Sequence, residues 1–144
     1  TGMGTMQEIK SAVDTITKGG FKELIVLHCV SIYPCPIDII NINNIMMLRN
    51  EFKNCAVGFS DHTEGVEMAI ASVALGACMI EKHFTLDKSR IGMDNQMATE
   101  PSMFKTMVNS CLTTFSGLGS FTKSSPLITQ SEYLSAKVIS NARG

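Results

Sequence analysis

Two histidines follow strand-like apolar runs and are the first candidates for chemistry. His62 lies in VGFSDHTEG, residues 57–65, and His83 lies in MIEKHFTLD, residues 79–87. Neutral imidazoles combined with oxygen ligands suit a divalent metal that also binds water and substrate. Histidines at the ends of adjacent strands could equally donate hydrogen bonds to loop carbonyls, so the spacing leaves both interpretations open.

Hydroxyl and carboxyl groups flank His62. Ser60, Asp61 and Thr63 stand just before a predicted helix, where these residue types are preferred caps. A helix N-terminus also binds phosphate, so a structural role and a binding role both fit the spacing. The third histidine, His28, is different because it lies inside the apolar run LIVLHCV. We expect His28 to be a hydrogen-bonded core residue.

The elements that must position these residues alternate between helix and strand. A capping box at Thr5 and Glu8 begins a helix that Gly19-Gly20 ends. The near-continuous apolar run ELIVLHCVS predicts a strand buried on both faces. The pattern also predicts strands at CAVGFS and CMIEKHF and helices at residues 38–52, EGVEMAIASVALG and EPSMFKTMVNSCLTTFSGLG.

This alternation predicts an α/β fold with a parallel sheet and right-handed crossovers. Functional groups in such folds follow the carboxyl ends of the strands. Neighbouring strands lie about 4.8 Å apart, so His62 and His83 are close enough to converge on one ion. Three strands cannot close a barrel, so we expect a part of a larger α/β architecture. The strand-end rule collects Thr1-Gly2, Ser31 to Tyr33, Ser60 to Thr63, and His83 to Asp87.

The bulk composition narrows the classes of function. The chain has 144 residues, 44% of them hydrophobic and 17% charged, as in an ordinary soluble globular domain. A net charge of −1 offers no footprint for nucleic acid or an anionic membrane. The longest apolar runs are too short to span a bilayer. The five cysteines lack CxxC spacing and are predicted to be buried free thiols, which indicates a reducing, cytoplasmic compartment.

Five motifs, taken together and in order, resemble the sialic acid synthase family. They are TGM, LHCVSIYPCP, VGFSDHTEG, ALGACMIEKHFTLD and MATEP. This family contains N-acetylneuraminate synthase and its legionaminate- and pseudaminate-forming relatives. The resemblance implies a (β/α)8 TIM barrel, of which residues 1–119 would form the C-terminal half, about strands 6–8 with flanking helices. Residues 120–144 would then be a linker or tail toward a further domain that this sequence does not contain.

The resemblance also implies a reaction. Family members condense phosphoenolpyruvate with N-acetylmannosamine or a related hexosamine, giving a sialic acid-type nonulosonate and phosphate. They need a divalent cation, Mn²⁺ or Mg²⁺, and we expect a homodimer when the protein is complete. The alternative is a catalytically incompetent barrel fragment or an assembly partner of the same family. A two-histidine metal hydrolase is a third possibility, and it predicts a third histidine or a bridging carboxylate.

The resemblance implies roles for individual residues, each at a position that matches the family. The family reads Gly-Pro-Asp-His around its sugar-binding aspartate, whereas this chain reads Gly92-Met93-Asp94-Asn95, which keeps the carboxylate and leaves the hexosamine open. A metal-binding histidine usually donates its other N–H, and Asp61, Glu81 or a loop carbonyl could accept it. The resemblance implies a catalytic, metal-binding pair at His62 and His83, contacts to phosphoenolpyruvate from Thr1, Ser31 and Ser60, and contacts to the sugar from Tyr33 and Asp94.

Overall fold

The structure is a computed structural model that describes residues 1–122, and its helices and strands alternate as predicted. The predicted linker or tail at 120–144 lies outside the described residues from position 123 onward. The elements are α1 (Met6–Lys18), β1 (Ile25–Cys29), a short 3₁₀ helix (Ile37–Ile39), α2 (Asn44–Glu51), β2 (Ala56–Asp61), α3 (Glu67–Ala74), β3 (Ile80–Lys82) and α4 (Pro101–Gly117).

The three strands form one parallel sheet in the order β1-β2-β3, which confirms the predicted α/β class. Cys29 pairs with Ser60, and Ser60 in turn pairs with Glu81. The carboxyl ends of all three strands therefore lie at one edge of the sheet. A single bridge from Phe84 to Thr99 extends the pairing beyond β3.

The core lies between the sheet and the helices that pack on it. Phe59, Ile45 and Leu48 are almost completely buried there, together with Val57 from β2. Burial of such aliphatic and aromatic side chains contributes about 1.5–3 kcal/mol each. This packing fixes the position of β2, the central strand, and so of the loop that follows it.

Three local predictions need correction. β1 alternates between buried and more exposed residues, with Ile25 39% exposed, so its predicted burial on both faces is wrong. The helix expected at residues 38–52 is divided in two, because Asn41 adopts a left-handed φ of 43° between the 3₁₀ helix and α2. Asparagine tolerates that region better than most residues. The third correction concerns α3. The predicted helix begins with the Glu64-Gly65 pair, whereas α3 begins at Glu67, because Gly65 has a left-handed φ of 77°.

The cysteines are only partly as predicted. All five are free thiols, as expected, but Cys35 is buried whereas Cys78 is exposed. Burial raises the pKa of the Cys35 thiol, which keeps it protonated. Among residues 1–122, no helix combines the length and the apolar character needed to cross a membrane.

Candidate active site

The imidazoles of His62 and His83 meet at the carboxyl edge of the sheet. Their ring centroids are 5.3 Å apart, and the ring planes are inclined by 69°. His62 follows β2 directly and is 9% exposed, whereas the side chain of His83, which follows β3, is 33% exposed. The parallel register explains this proximity, because adjacent strands end side by side.

Backbone contacts hold His62 in a defined orientation. Its Nδ1 lies 2.8 Å from the carbonyl oxygen of Val30, which can only accept a hydrogen bond. Nδ1 therefore carries the proton in the neutral ring, and Nε2 keeps its lone pair. The carbonyl oxygen of His62 accepts from the N–H of Cys35 at 2.8 Å. A loop carbonyl thus provides the partner for the second nitrogen, one of the arrangements expected from the sequence.

Ser60 and Glu81 adjoin the free nitrogen of His62. The Ser60 hydroxyl donates to Oε1 of Glu81 at 2.7 Å, and the same Oγ lies 3.3 Å from His62 Nε2. A serine hydroxyl has a single proton, so when Glu81 accepts it only lone pairs of Ser60 face Nε2. Ser60 Oγ and His62 Nε2 then face each other with lone pairs only. A cation or an additional proton between them would stabilise this arrangement. The hydrogen bond from Ser60 to Glu81 was missed by the sequence analysis.

Asp94 lies beside His83 on the open side of the site. Its Oδ2 is 3.6 Å from His83 Nδ1, longer than a good hydrogen bond, and its side chain is 47% exposed. The carbonyl oxygen of His83 accepts from the N–H of Thr99 at 2.7 Å, which fixes the backbone there. Asp94 therefore faces solvent beside the imidazole of His83.

Tyr33 packs against both histidines. Its ring centroid is 4.2 Å from that of His62 and 5.3 Å from that of His83. Burial raises the pKa of the Tyr33 phenol, and the nearby Cys29, Asp94 and Glu81 add to this effect. The phenol therefore stays protonated at neutral pH and can donate a hydrogen bond.

Thr1 and Ser31 lie at the end of β1. The Thr1 backbone nitrogen donates to the carbonyl oxygen of Leu27 at 2.8 Å, and its hydroxyl accepts from the N–H of Cys29 at 3.1 Å. Ser31 Oγ lies 3.8 Å from Cys29 Sγ, which is itself 3.9 Å from His62 Nδ1. Cys29 thus contacts both hydroxyl residues and His62, although the sequence analysis gave it no role in the site.

Asp61 and Thr63 have a structural role different from the helix capping considered above, since α3 begins after an apolar N-cap, Val66. Asp61 forms a buried ion pair with Lys82, with Oδ2 2.8 Å from Nζ. Its other oxygen accepts from the N–H and the hydroxyl of Thr63. The sequence analysis missed this pair, although opposite charges at two neighbouring strand ends were a signal that could have indicated it.

His28 has the core role predicted for it. It is 3% exposed, and its Nε2 lies 2.7 Å from the carbonyl oxygen of Ile40. Its ring also stacks on Phe59, with centroids 5.8 Å apart. Burial lowers the pKa of His28, so the neutral imidazole is favoured in the folded chain.

The donor atoms of this site fit a cation that is shared with a ligand. Within the part of the chain that the structure describes, no three His, Cys, Asp or Glu side chains are grouped to hold a metal by themselves. The two adjacent imidazoles, with an oriented Nε2 on His62, would instead be a partial ligand set. Metals that keep open positions for water and substrate are bound by such incomplete protein sets.

Comparison with known proteins identifies the family. A family model described as the NeuB family matches residues 1–123. The chain belongs to the NeuB family. Its relatives include enzymes named as synthases of N,N'-diacetyllegionaminic acid, pseudaminic acid and N-acetylneuraminate 9-phosphate. These relatives confirm the resemblance to the sialic acid synthase family.

The matches cover most of this chain but a smaller part of its relatives. An uncharacterized protein of Methanocaldococcus jannaschii is 48% identical over 109 residues, which cover 76% of this chain and 32% of that protein. The N,N'-diacetyllegionaminic acid synthase of Campylobacter jejuni is 43% identical over 109 residues, covering 74% of this chain and 32% of the synthase. The chain therefore spans about a third of the length of these relatives.

A solved structure gives the same picture of the fold. The N-acetylneuraminic acid (sialic acid) synthetase of Leptospira borgpetersenii, solved in complex with citrate, superposes with a TM-score of 0.80 at 32% identity. The superposition covers 99% of this chain and 48% of the synthetase chain. The α/β architecture with its parallel sheet is therefore shared with a sialic acid synthase.

Proposed function

We propose that the protein containing this chain condenses phosphoenolpyruvate with N-acetylmannosamine or a related hexosamine. The products would be a sialic acid-type nonulosonate and phosphate. The observation that carries the proposal is the convergence of His62, His83 and Tyr33 at the carboxyl edge of a parallel sheet, in a chain of the NeuB family. The names of the synthases among the relatives support this choice of reaction.

The wider architecture belongs to the same proposal. We propose that residues 1–119 form about strands 6–8 of a (β/α)8 TIM barrel with their flanking helices. Strands outside this chain would then pair with the outer edges of β1 and β3. The superposition on part of a longer synthetase chain supports this arrangement, and so does the exposure of apolar residues such as Ile25.

His62 and His83 are the residues that would hold a divalent cation, Mn²⁺ or Mg²⁺. Support comes from the carbonyl of Val30, which leaves His62 Nε2 free of a proton and aimed toward Ser60. When bound, such a cation supplies Lewis-acid polarisation of the open-chain sugar's aldehyde. The carboxylates of Glu81 and Asp94 nearby suit the positive charge.

The chain's hydroxyls are suited to orient phosphoenolpyruvate. Ser60, Thr1 and Ser31 would contact its anionic groups from the ends of β1 and β2. The Ser60 hydroxyl points to Glu81, so it would rotate toward the phosphate when the substrate binds. Thr1 would keep its oxygen on the N–H of Cys29 and direct its own proton toward the substrate.

Tyr33 and Asp94 would orient the sugar. A new carbon–carbon bond joins the methylene carbon of phosphoenolpyruvate to the aldehyde carbon, and the aldehyde oxygen becomes a hydroxyl. Water then adds to the former enol carbon, and one of its protons balances the proton taken up by the aldehyde oxygen. The carbon–oxygen bond to phosphate breaks with its electrons leaving on phosphate, the second proton is lost to phosphate, and the former enol carbon becomes a ketone. Holding two substrates in a reactive orientation can lower a barrier by about 7–11 kcal/mol, so much of the rate should come from this placement.

Two further features, the location and the oligomeric state, belong to the same proposal. We propose a cytoplasmic location, in line with the free cysteines, and a homodimer for the complete protein. A catalytically incompetent barrel fragment or assembly partner of the same family is the second candidate. A two-histidine hydrolase receives no support, because residues 1–122 group no third metal ligand with the histidines.

Phosphate release tests the proposal. In the full-length protein that contains this sequence, release from phosphoenolpyruvate should require both a hexosamine and Mn²⁺. His62→Ala and His83→Ala should each reduce it to background, whereas His28→Gln, in the core, should retain it. Hexosamine-independent release, or normal release in the two alanine variants, would contradict the proposal. An inactive but folded full-length protein would favour the second candidate.

A further inference from the structure

A buried ion pair joins the two segments that carry the histidines. Asp61 precedes His62 at the end of β2, Lys82 precedes His83 at the end of β3, and the two charged residues are partners in the parallel register. Lys82 Nζ lies 2.8 Å from Asp61 Oδ2, and their side chains are only 3% and 0% exposed. The proposed reaction assigns neither residue a contact with substrate.

The pair is bonded to the residues on both sides of His62 in the chain. Asp61 Oδ1 accepts from the N–H of Thr63 at 2.9 Å and from its hydroxyl at 2.7 Å. Lys82 Nζ donates to the carbonyl oxygen of Thr63 at 2.7 Å, in addition to its bond to Asp61. One ammonium group on β3 therefore binds the residue before His62 and the residue after it.

Stability alone is a weak explanation for these charges. Removing two charges from water is costly, and apolar residues of similar volume usually serve stability equally well. The Lys10–Glu51 pair shows the contrast, since its atoms are as close, 2.7 Å, but the side chains are 42% and 40% exposed. What a directional, hydrogen-bonded pair adds in the interior is a fixed geometry between the segments that it joins.

We infer that Asp61 and Lys82 are positioning residues that set the separation and orientation of the His62 and His83 imidazoles, and thereby the affinity of the site for a divalent cation. The inference rests on the proposed metal-binding function for its second half only. The first half, that Asp61 and Lys82 set the ring-to-ring geometry of His62 and His83, can be tested in protein without a cation. The centroid distance of 5.3 Å is short enough to measure in solution.

The test uses an Asp61→Asn/Lys82→Met double variant of the full-length protein, which removes both charges and keeps the side-chain shapes. One readout is the dissociation constant for Mn²⁺ alone, measured from the electron paramagnetic resonance signal of free Mn²⁺. The other is the nuclear Overhauser cross-peak between the imidazole protons of His62 and His83 in metal-free protein with labelled histidines. We expect the dissociation constant to rise about tenfold or more and the cross-peak to be lost, while the protein stays folded.

Controls separate positioning from general stability. Lys10→Met/Glu51→Gln removes the exposed pair and should leave the Mn²⁺ affinity and the cross-peak unchanged. Thr63→Val keeps both charges and removes one donor to Asp61, so it should give a smaller loss of affinity; it decides the matter if the double variant does not fold. A folded variant that keeps the wild-type dissociation constant and cross-peak overturns the inference. If wild-type protein binds no Mn²⁺, the proposed metal site fails, and the cross-peak alone still decides the positioning role.

Discussion

His62 Nδ1 lies 2.8 Å from the carbonyl oxygen of Val30, the first loop residue after β1. This one contact selects the tautomer of His62 and directs its Nε2 into the space shared with Ser60, next to the ring of His83. The contact links two strand ends, because Val30 follows β1 and His62 follows β2. The chemistry proposed for the site depends on this orientation, since a nitrogen that carries a proton cannot bind a cation.

Tyr33 should contribute to the site in two separable ways. Its ring packs on His62 and His83, and its protonated hydroxyl is free to bind the sugar. Tyr33→Phe should leave Mn²⁺ affinity unchanged and raise the KM for the hexosamine about three- to tenfold, the effect of losing one neutral hydrogen bond. Tyr33→Ala should weaken both Mn²⁺ binding and hexosamine binding. Steady-state kinetics with separate Mn²⁺ binding measurements would reveal the difference. Equal loss of Mn²⁺ affinity in the two variants would show that the ring has no separate role.

His28 should make the stability of the protein fall as the pH is lowered. Burial lowers the pKa of His28 below its usual 6.5, so the unfolded chain takes up a proton there before the folded chain does. Stability is therefore fully present above pH 6.5 and is lost as the pH falls from there toward the lowered pKa. The slope from one such group is at most about 1.4 kcal/mol per pH unit.

His28→Gln provides the comparison for this pH dependence. Glutamine can still donate to the carbonyl oxygen of Ile40 but does not titrate. Denaturant unfolding of the wild type and the variant between about pH 7.5 and 5.5 should give a shallower loss of stability in the variant. Parallel curves for the two proteins would show that His28 does not titrate in the way its burial implies.

Gly58 should be required by the close packing of the sheet. A Cβ at this position would lie 2.6 Å from Cδ2 of Leu27 and 2.6 Å from the backbone oxygen of Met79. The Leu27 side chain can rotate, but the oxygen can move only if the start of β3 moves with it. Gly58→Ala should therefore lower the free energy of unfolding by about 1–3 kcal/mol.

Gly117 offers the matched control for that substitution. It ends α4, and an added Cβ would meet nothing within 4 Å. Gly117→Ala should be neutral or stabilising by up to about 1 kcal/mol, because alanine is the better helix former. Thermal unfolding of both variants would test the pair of expectations, and equal melting temperatures would count against the packing argument.

Local patterns were sufficient to predict the order of the elements. Strands such as β2 and helices such as α1 are recorded in the sequence by apolar periodicity, by the Thr5–Glu8 capping box and by glycines at their ends. The parallel topology follows from their alternation, and it brings the residues after adjacent strands together. The approach of His62 to His83 therefore required only the topology.

Contacts that depend on the exact register were beyond the sequence patterns. The Asp61–Lys82 pair exists because these two residues are level in the sheet, and a shift by one residue would turn one of them to the opposite face. The hydrogen bond from Ser60 to Glu81 depends on the same register. The left-handed turn at Asn41 was equally hidden, since asparagine adopts both helical and left-handed conformations.

Electron spin-echo spectroscopy of bound Mn²⁺ tests most directly whether His62 and His83 hold a cation. The method detects the nitrogen nuclei that are bonded to the ion. In the full-length protein, the wild type should show coupling to two histidine nitrogens, and His62→Ala or His83→Ala should each show one. His28→Gln, whose substitution lies in the core, should match the wild type. Bound Mn²⁺ with coupling to water protons alone, and to no histidine nitrogen, would contradict the metal-dependent condensation proposed for this protein.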